Sequence, residues 1–195
     1  MKKMKSERTR EEILDKAWDL VAQGGAAVSM ADIAKAVGVT RQSIYIHFKS
    51  RGGLLDALVK RADDRENIIE NLEQAIETVL PVERLDRCLT VWFEFVPIIH
   101  PVATDLIALR KHDPDAAFAW NDRMKHLHGL FRHLTDSLTR DKKLSPLWSA
   151  EEAADYLWVS VSVQSWDLLV GDRGWTPKRA SETIKKSMAQ LLLSP

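Results

Sequence analysis

The sequence predicts an all-α protein of about nine helices, headed by a three-helix, helix-turn-helix domain. Three observations carry this. Helix caps and apolar stripes with a period near 3.6 recur from end to end, while strand-like alternation is sparse. Residues 29–48 read SMADIAKAVGVTRQSIYIHF, two short helical runs around a Gly-Val turn. Charge is also divided: residues 1–61 hold 12 Lys/Arg against 7 Asp/Glu, and the remainder 16 against 21, within a formal net charge of +0. A basic front half suits a surface that meets phosphates.

Thr9 followed by Glu12 has the form of a capping box and predicts the start of the first helix. Its apolar residues Ile13, Ala17, Leu20 and Val21 share one face, and Gly24 with Gly25 ends it. Ser29 with Asp32 caps a second, short helix that stops before Gly38. Thr40 caps a third, and a fourth begins near Gly53 with Leu54, Leu55, Leu58 and Val59. Pro81, Pro101, Pro114 and Pro177 stand where first helical residues stand, with Asp113 and Thr176 as caps for two of them. Ser149 with Glu152 forms a further capping box ahead of the apolar run 153–170. Val159–Val163 alternates like a strand, but its flanks favour helix.

Within residues 29–48, Gly38 supplies the left-handed turn out of the first short helix. Ala34 is small enough for a close crossing. Ile33, Val37, Val39, Ile44 and Phe48 have the spacing to pack on the first helix of the chain. With Ile44 and Phe48 inward, the second short helix presents Gln42 and Ile46, flanked by Arg41, Ser43 and Tyr45. Arg can pair with guanine, Gln with adenine, and an apolar side chain can touch a thymine methyl. Thr40, Tyr45, His47 and Lys49 are placed to grip phosphates. Lys2, Lys3, Lys5, Arg8 and Arg10 suggest a basic arm.

On these residues the stretch resembles the N-terminal domain of the TetR family of repressors. Ser29, Ile33, Ala34, Gly38, Val39, Thr40, Ile44, Tyr45, His47, Phe48 and Ser50 match that family's pattern over about residues 8–60. Arg51 stands where the family usually has lysine, Gly52-Gly53 where an acidic residue often precedes the leucine, and Ala36-Val37 differs just before the turn glycine. The resemblance implies a DNA-binding domain over 1–52 and a helical effector-binding and dimerisation domain over 53–195. It implies a repressor that binds a palindromic operator in double-stranded DNA as a homodimer, with the expected DNA contacts Ser29, Thr40, Arg41, Gln42, Ser43, Tyr45, Ile46, His47 and Lys49. Helices over about 149–170 and 177–193 are the expected dimer interface.

Seven tryptophans are many for 195 residues. Trp92, Phe93 and Phe95 share a predicted helix, Phe118 and Trp120 another, and Trp158 and Trp166 lie eight apart on one face. Trp92, Phe95, Phe118, Trp120, Trp158 and Trp166 form the candidate lining of a pocket for a hydrophobic or aromatic small-molecule effector. Ordinary core packing explains each of them equally well.

Other functions lack a signature. No histidine pair has the i, i+3 or i+4 spacing of a helical metal site, so neither metal nor cofactor is expected. No Gly-rich phosphate loop or nucleophile elbow appears, and no catalytic residue is assigned. One cysteine, Cys88, excludes an intrachain disulfide and reads as a small buried hydrophobe. The basic, polar start is not a signal peptide, and Val91–Leu109 is interrupted by Glu94, His100 and Asp105. A cytoplasmic protein without a membrane span is expected. Three alternatives stay open: a helical enzyme that retains the head, an interaction or architectural protein with a solid C-terminal core, and, within the main reading, an activator rather than a repressor.

Overall fold

The computed structural model describes residues 2–24, 28–78 and 80–194. Among them are ten α-helices: α1 (Lys2–Gly24), α2 (Met30–Val37), α3 (Arg41–Phe48), α4 (Arg51–Glu66), α5 (Ile68–Ile76), α6 (Pro81–Leu109), α7 (Pro114–Arg140), α8 (Ala150–Ser160), α9 (Val163–Asp167) and α10 (Pro177–Leu192). A single π turn, Leu168–Asp172, extends α9. The described residues contain no strand, only one isolated bridge, Leu144 to Leu193. The all-α expectation holds.

The chain forms two compact units. One comprises Met1–Arg65 with Ile99–Asp122, the other Glu66–Ile98 with Arg123–Pro195. In the first, α1 buries Ile13, Leu14, Ala17 and Val21 with Ile33, Ile44, Phe48, Leu54, Leu55 and Leu58. The end of α6 contributes Val102, Ala103 and Leu106 to that unit's buried set, and the start of α7 contributes Ala116 and Ala119. In the second, Leu85, Cys88, Leu89, Phe131, Leu134, Leu138, Ala153, Leu157 and Ile184 are buried.

Several local readings change. α1 begins at Lys2, so Thr9 lies inside a helix rather than at its start. Lys, Met, Arg and Glu are good helix formers, and Glu12 pairs with Arg8 at 3.3 Å, one turn upstream. The segment expected as a basic arm is therefore helical; the side chains of Lys2, Lys3 and Lys5 lie outside the described residues, as does Gly25. Pro101 does not start a helix. It lies in the middle of α6, four residues after Pro97, and the helix runs through both. Burial of Val96, Ile99, Val102 and Leu106 around them offsets the missing hydrogen bonds.

The expected helix over 149–170 breaks at Val161. Ser162 caps α9 by accepting from the Ser165 amide at 3.1 Å, and the Val161 carbonyl accepts from the Trp92 indole at 2.7 Å. Asn67, with φ 48°, separates α4 from α5. The other caps form as read: Ser149 with Glu152, Thr176 before Pro177, and Asp113 before Pro114. Helix α6 is long and apolar enough to cross a membrane by length and composition, over Glu83–Leu109. Half of an apolar 18-residue stretch of it is buried, and the helix carries the ion-paired Asp105, so we read it as a core helix.

Candidate nucleic-acid interface

The site is built from two caps and a turn. Ser29 accepts from the Asp32 amide at 3.2 Å, and the Asp32 carboxylate accepts from the Ser29 amide at 2.9 Å and its hydroxyl at 2.6 Å. These bonds hold the Asp32 carboxyl below the usual carboxylate range, the Ser29 hydroxyl being the main cause. Gly38, at φ 76° and ψ 28°, is the left-handed residue that ends α2, and the Val39 amide returns to the Ala34 carbonyl at 3.0 Å. Thr40 is extended and accepts from the Ser43 amide at 3.1 Å, starting α3. Lys49, at φ 63°, ends it.

Helix α3 is divided as its sequence predicts. Ile44 and Phe48 are buried, while Ile46, on the opposite side, is 75% exposed. Arg41, Gln42 and Lys49 are exposed beside it; Ser43, Tyr45 and His47 are half-buried. Arg41 donates to the Tyr45 hydroxyl at 3.1 Å, and its guanidinium lies 5.4 Å from the Tyr45 ring centre, so the two side chains are held as a pair. Thr40 still has its hydroxyl proton to donate after serving as a cap. Ser29 does not, because its proton is given to Asp32; it fixes the start of α2 rather than offering a donor outward.

Sequence reading did not find the groove of about 460 Å³ at the end of α3. It is lined by Arg10, His47, Lys49, Lys60 and Arg61, with Glu11, Asp56 and Asp64 among them. Arg10 lies 5.2 Å over the Phe48 ring. Lys60 pairs with Asp56 at 2.7 Å, and Arg61 with Asp15 at 2.6 Å and Glu11 at 3.1 Å, joining α4 to α1. The i, i+4 spacing of Asp56 and Lys60 was visible in the sequence; the pairs 46 and 50 residues apart were not.

The six candidate pocket residues do not form one group. In the second unit Trp92, Phe95 and Trp166 are buried, Trp92 and Phe95 lie 6.3 Å apart, and Phe93 stacks on Trp166 at 5.6 Å. Trp158 is half-buried, edge-on to His128, and its indole nitrogen has no hydrogen-bond partner among the described residues. It faces an open groove with Met124, Lys125, His128, Asp155 and Val159. Trp120 lies in the first unit under Arg110. Phe118 is 72% exposed; the next two residues of α7, Ala119 and Trp120, are buried instead. No group of three or more metal-ligating side chains occurs among the described residues.

Residues 13–58, which span α1 to α4, match the model of the bacterial regulatory proteins of the TetR family. The helix-turn-helix head of this chain is of the TetR type. It is 38% identical over 74 residues to the HTH-type transcriptional regulator AcrR of Shigella flexneri, a match covering 37% of this chain and 34% of AcrR. The match thus spans about a third of that relative's length. Along its whole length the chain is 27% identical to the HTH-type transcriptional repressor BepR of Brucella suis biovar 1, covering 98% of BepR. A putative transcriptional regulator from Saccharomonospora viridis, solved in complex with choline, has the same TetR-type fold. Its TM-score is 0.78 at 19% identity, over 97% of this chain and 100% of that one.

Proposed function

We infer that this protein is a TetR-family transcriptional repressor that binds a palindromic operator as a homodimer and leaves it when a small apolar or aromatic effector binds the helical C-terminal region. The observation that carries the reading is α3: a capped, two-turn helix anchored by Ile44 and Phe48 whose other face shows Arg41, Gln42 and Ile46 to solvent. In a major groove, Arg41 and Gln42 have the donors for guanine and adenine edges, and Ile46 can meet a thymine methyl. Thr40, Tyr45, His47 and Lys49 are the phosphate contacts in this reading, with Ser43 beside them.

The dimer would be built on α8 and α10. Supporting this, Tyr156 and Val159 of α8, Leu168, and Leu191 of α10 are large apolar residues left 41–59% exposed. The effector reading is supported by the buried aromatics Trp92, Phe95 and Trp166. A ligand that prefers the conformation whose heads are wrongly spaced shifts the population off DNA. Selection from random duplexes with the full chain tests the reading: enrichment of an inverted repeat, its half-sites about one helical turn or a multiple apart, is expected. Recovery of no consensus would overturn it. A screen for compounds that release the selected duplex then tests the effector.

A further inference from the structure

The first unit holds polar contacts that the reading surface of α3 does not account for. They lie immediately after α3, where Ser50, Arg51 and Gly52 open α4. The Arg51 guanidinium bonds both the Val28 carbonyl and the carboxylate of Asp105, which is 4% exposed on α6. The Gly52 amide donates to Asp113 Oδ2 at 3.1 Å. The other oxygen of the same carboxylate accepts from the amides of Asp115 at 2.9 Å and Ala116 at 3.0 Å, which start α7. Ser50 donates to Asp115 at 2.7 Å and accepts from the Gly53 amide at 3.0 Å. One carboxylate thus caps two helices, α7 through Oδ1 and α4 through Oδ2. The fit leaves no slack. A Cβ on Gly52 would stand 2.6 Å from Asp113 Oδ1 and 2.9 Å from the Ala116 Cα.

We propose that Asp113 and Asp105, remote in sequence from the helix-turn-helix, are positioning residues for DNA reading: through Gly52 and Arg51 they fix the angle at which α3 meets the groove. The proposal rests on the DNA-binding reading above. Its mechanism is geometric. Arg41 and Tyr45 of α3 share a groove with Arg51, Asp105, Ala108 and Leu109, so the buried pair forms one wall of the space under the reading side chains. Freed from Asp113 and Asp105, the start of α4 can turn, and α3 turns with it through the short link Lys49–Ser50. Base contacts need their angle; phosphate contacts tolerate its loss.

Asp113→Asn separates this role from mere support. The amide oxygen still caps α7, since Asn is as good a cap as Asp. Its NH2 group, however, faces the Gly52 amide, donor against donor. With the full chain and the duplex recovered by selection, Asp113→Asn is expected to lose about tenfold or more in affinity, the scale of one lost charge-assisted hydrogen bond. Affinity for a scrambled duplex is expected to stay within roughly threefold, because phosphate contacts carry it. Gly52→Ala, which must displace the start of α7, should show the same pattern, while Arg51→Lys, which keeps the charge on Asp105, should retain most of the specificity. Far-UV circular dichroism checks the fold, and if Asp113→Asn does not fold, Gly52→Ala decides. Wild-type affinity for the selected duplex in a folded Asp113→Asn or Gly52→Ala variant overturns the proposal. Failure of the wild-type chain to select any duplex overturns the DNA-binding reading instead.

Discussion

Two isoleucines of α3, two positions apart, should respond oppositely to the same truncation. Ile44 is 0% exposed and Ile46 is 75% exposed. Ile→Ala removes three carbons, about 2.4 kcal/mol of transfer free energy at about 0.8 kcal/mol each. At Ile44, which is fully buried, the cavity left behind adds to this, for a loss of about 2–5 kcal/mol. At Ile46 only the covered quarter of the side chain counts, roughly 0.6 kcal/mol, and alanine's better helix propensity returns a few tenths. Ile46→Ala should therefore unfold in urea within about 0.5 kcal/mol of wild type. In DNA binding the order reverses: Ile46→Ala, with its fold intact, should lose about 1 kcal/mol, roughly fivefold in Kd, through a missing apolar base contact. Urea melts and fluorescence anisotropy on the selected duplex measure both quantities. If Ile46→Ala destabilised the fold as much as Ile44→Ala, the assignment of the two faces would be wrong.

Cys88 is 1% exposed, and burial pushes its thiol up to about 12. It should stay protonated and resist a thiol reagent in the native protein, reacting only as the chain unfolds; rapid native labelling would refute this. Gly129 sits in α7 with nothing within 4 Å of where a Cβ would stand, so Gly129→Ala should stabilise by about 0.5–1 kcal/mol in thermal or urea unfolding. The Asp32 and Glu152 carboxyls are both held below their ordinary values of 3.8 and 4.5 by their capping serines. A lowered carboxyl stabilises the fold above its unfolded value and loses that contribution as pH falls through the folded value. The double variant Ser29→Ala/Ser149→Ala should therefore lose stability at neutral pH and show a shallower fall below about pH 4 than wild type. An unchanged acid limb would remove the two caps from the account.

The reading head was legible because everything that shapes it is local. Ser29 with Asp32, Gly38, Thr40, and the pair Ile44 and Phe48 each act within four residues, and each does in the structure what its spacing implies. Local signals misled where a competing local pair or tertiary burial won. Thr9 and Glu12 have cap spacing, but Glu12 pairs with Arg8 and α1 runs on upstream. Pro101 has the look of a first helical residue, but apolar burial on both sides carries α6 through it. Nothing in the sequence joins Arg51 to Asp105, 54 residues on, although Asp113 was readable as the cap of α7. Its second role, toward Gly52, depends on which elements meet in space. Phe118 and Trp120, two apart on one helix, were bound to face opposite ways, but spacing alone did not show which of them turns inward.

The central claim is that the outer face of α3 reads base sequence. The most direct measurement is the affinity of the full chain for its selected inverted repeat and for a scrambled duplex of equal length, each across a range of salt. The account predicts that both affinities fall with salt and that the repeat is bound about a thousandfold or more tighter at physiological ionic strength. Equal affinity for the two duplexes at every salt concentration would contradict it.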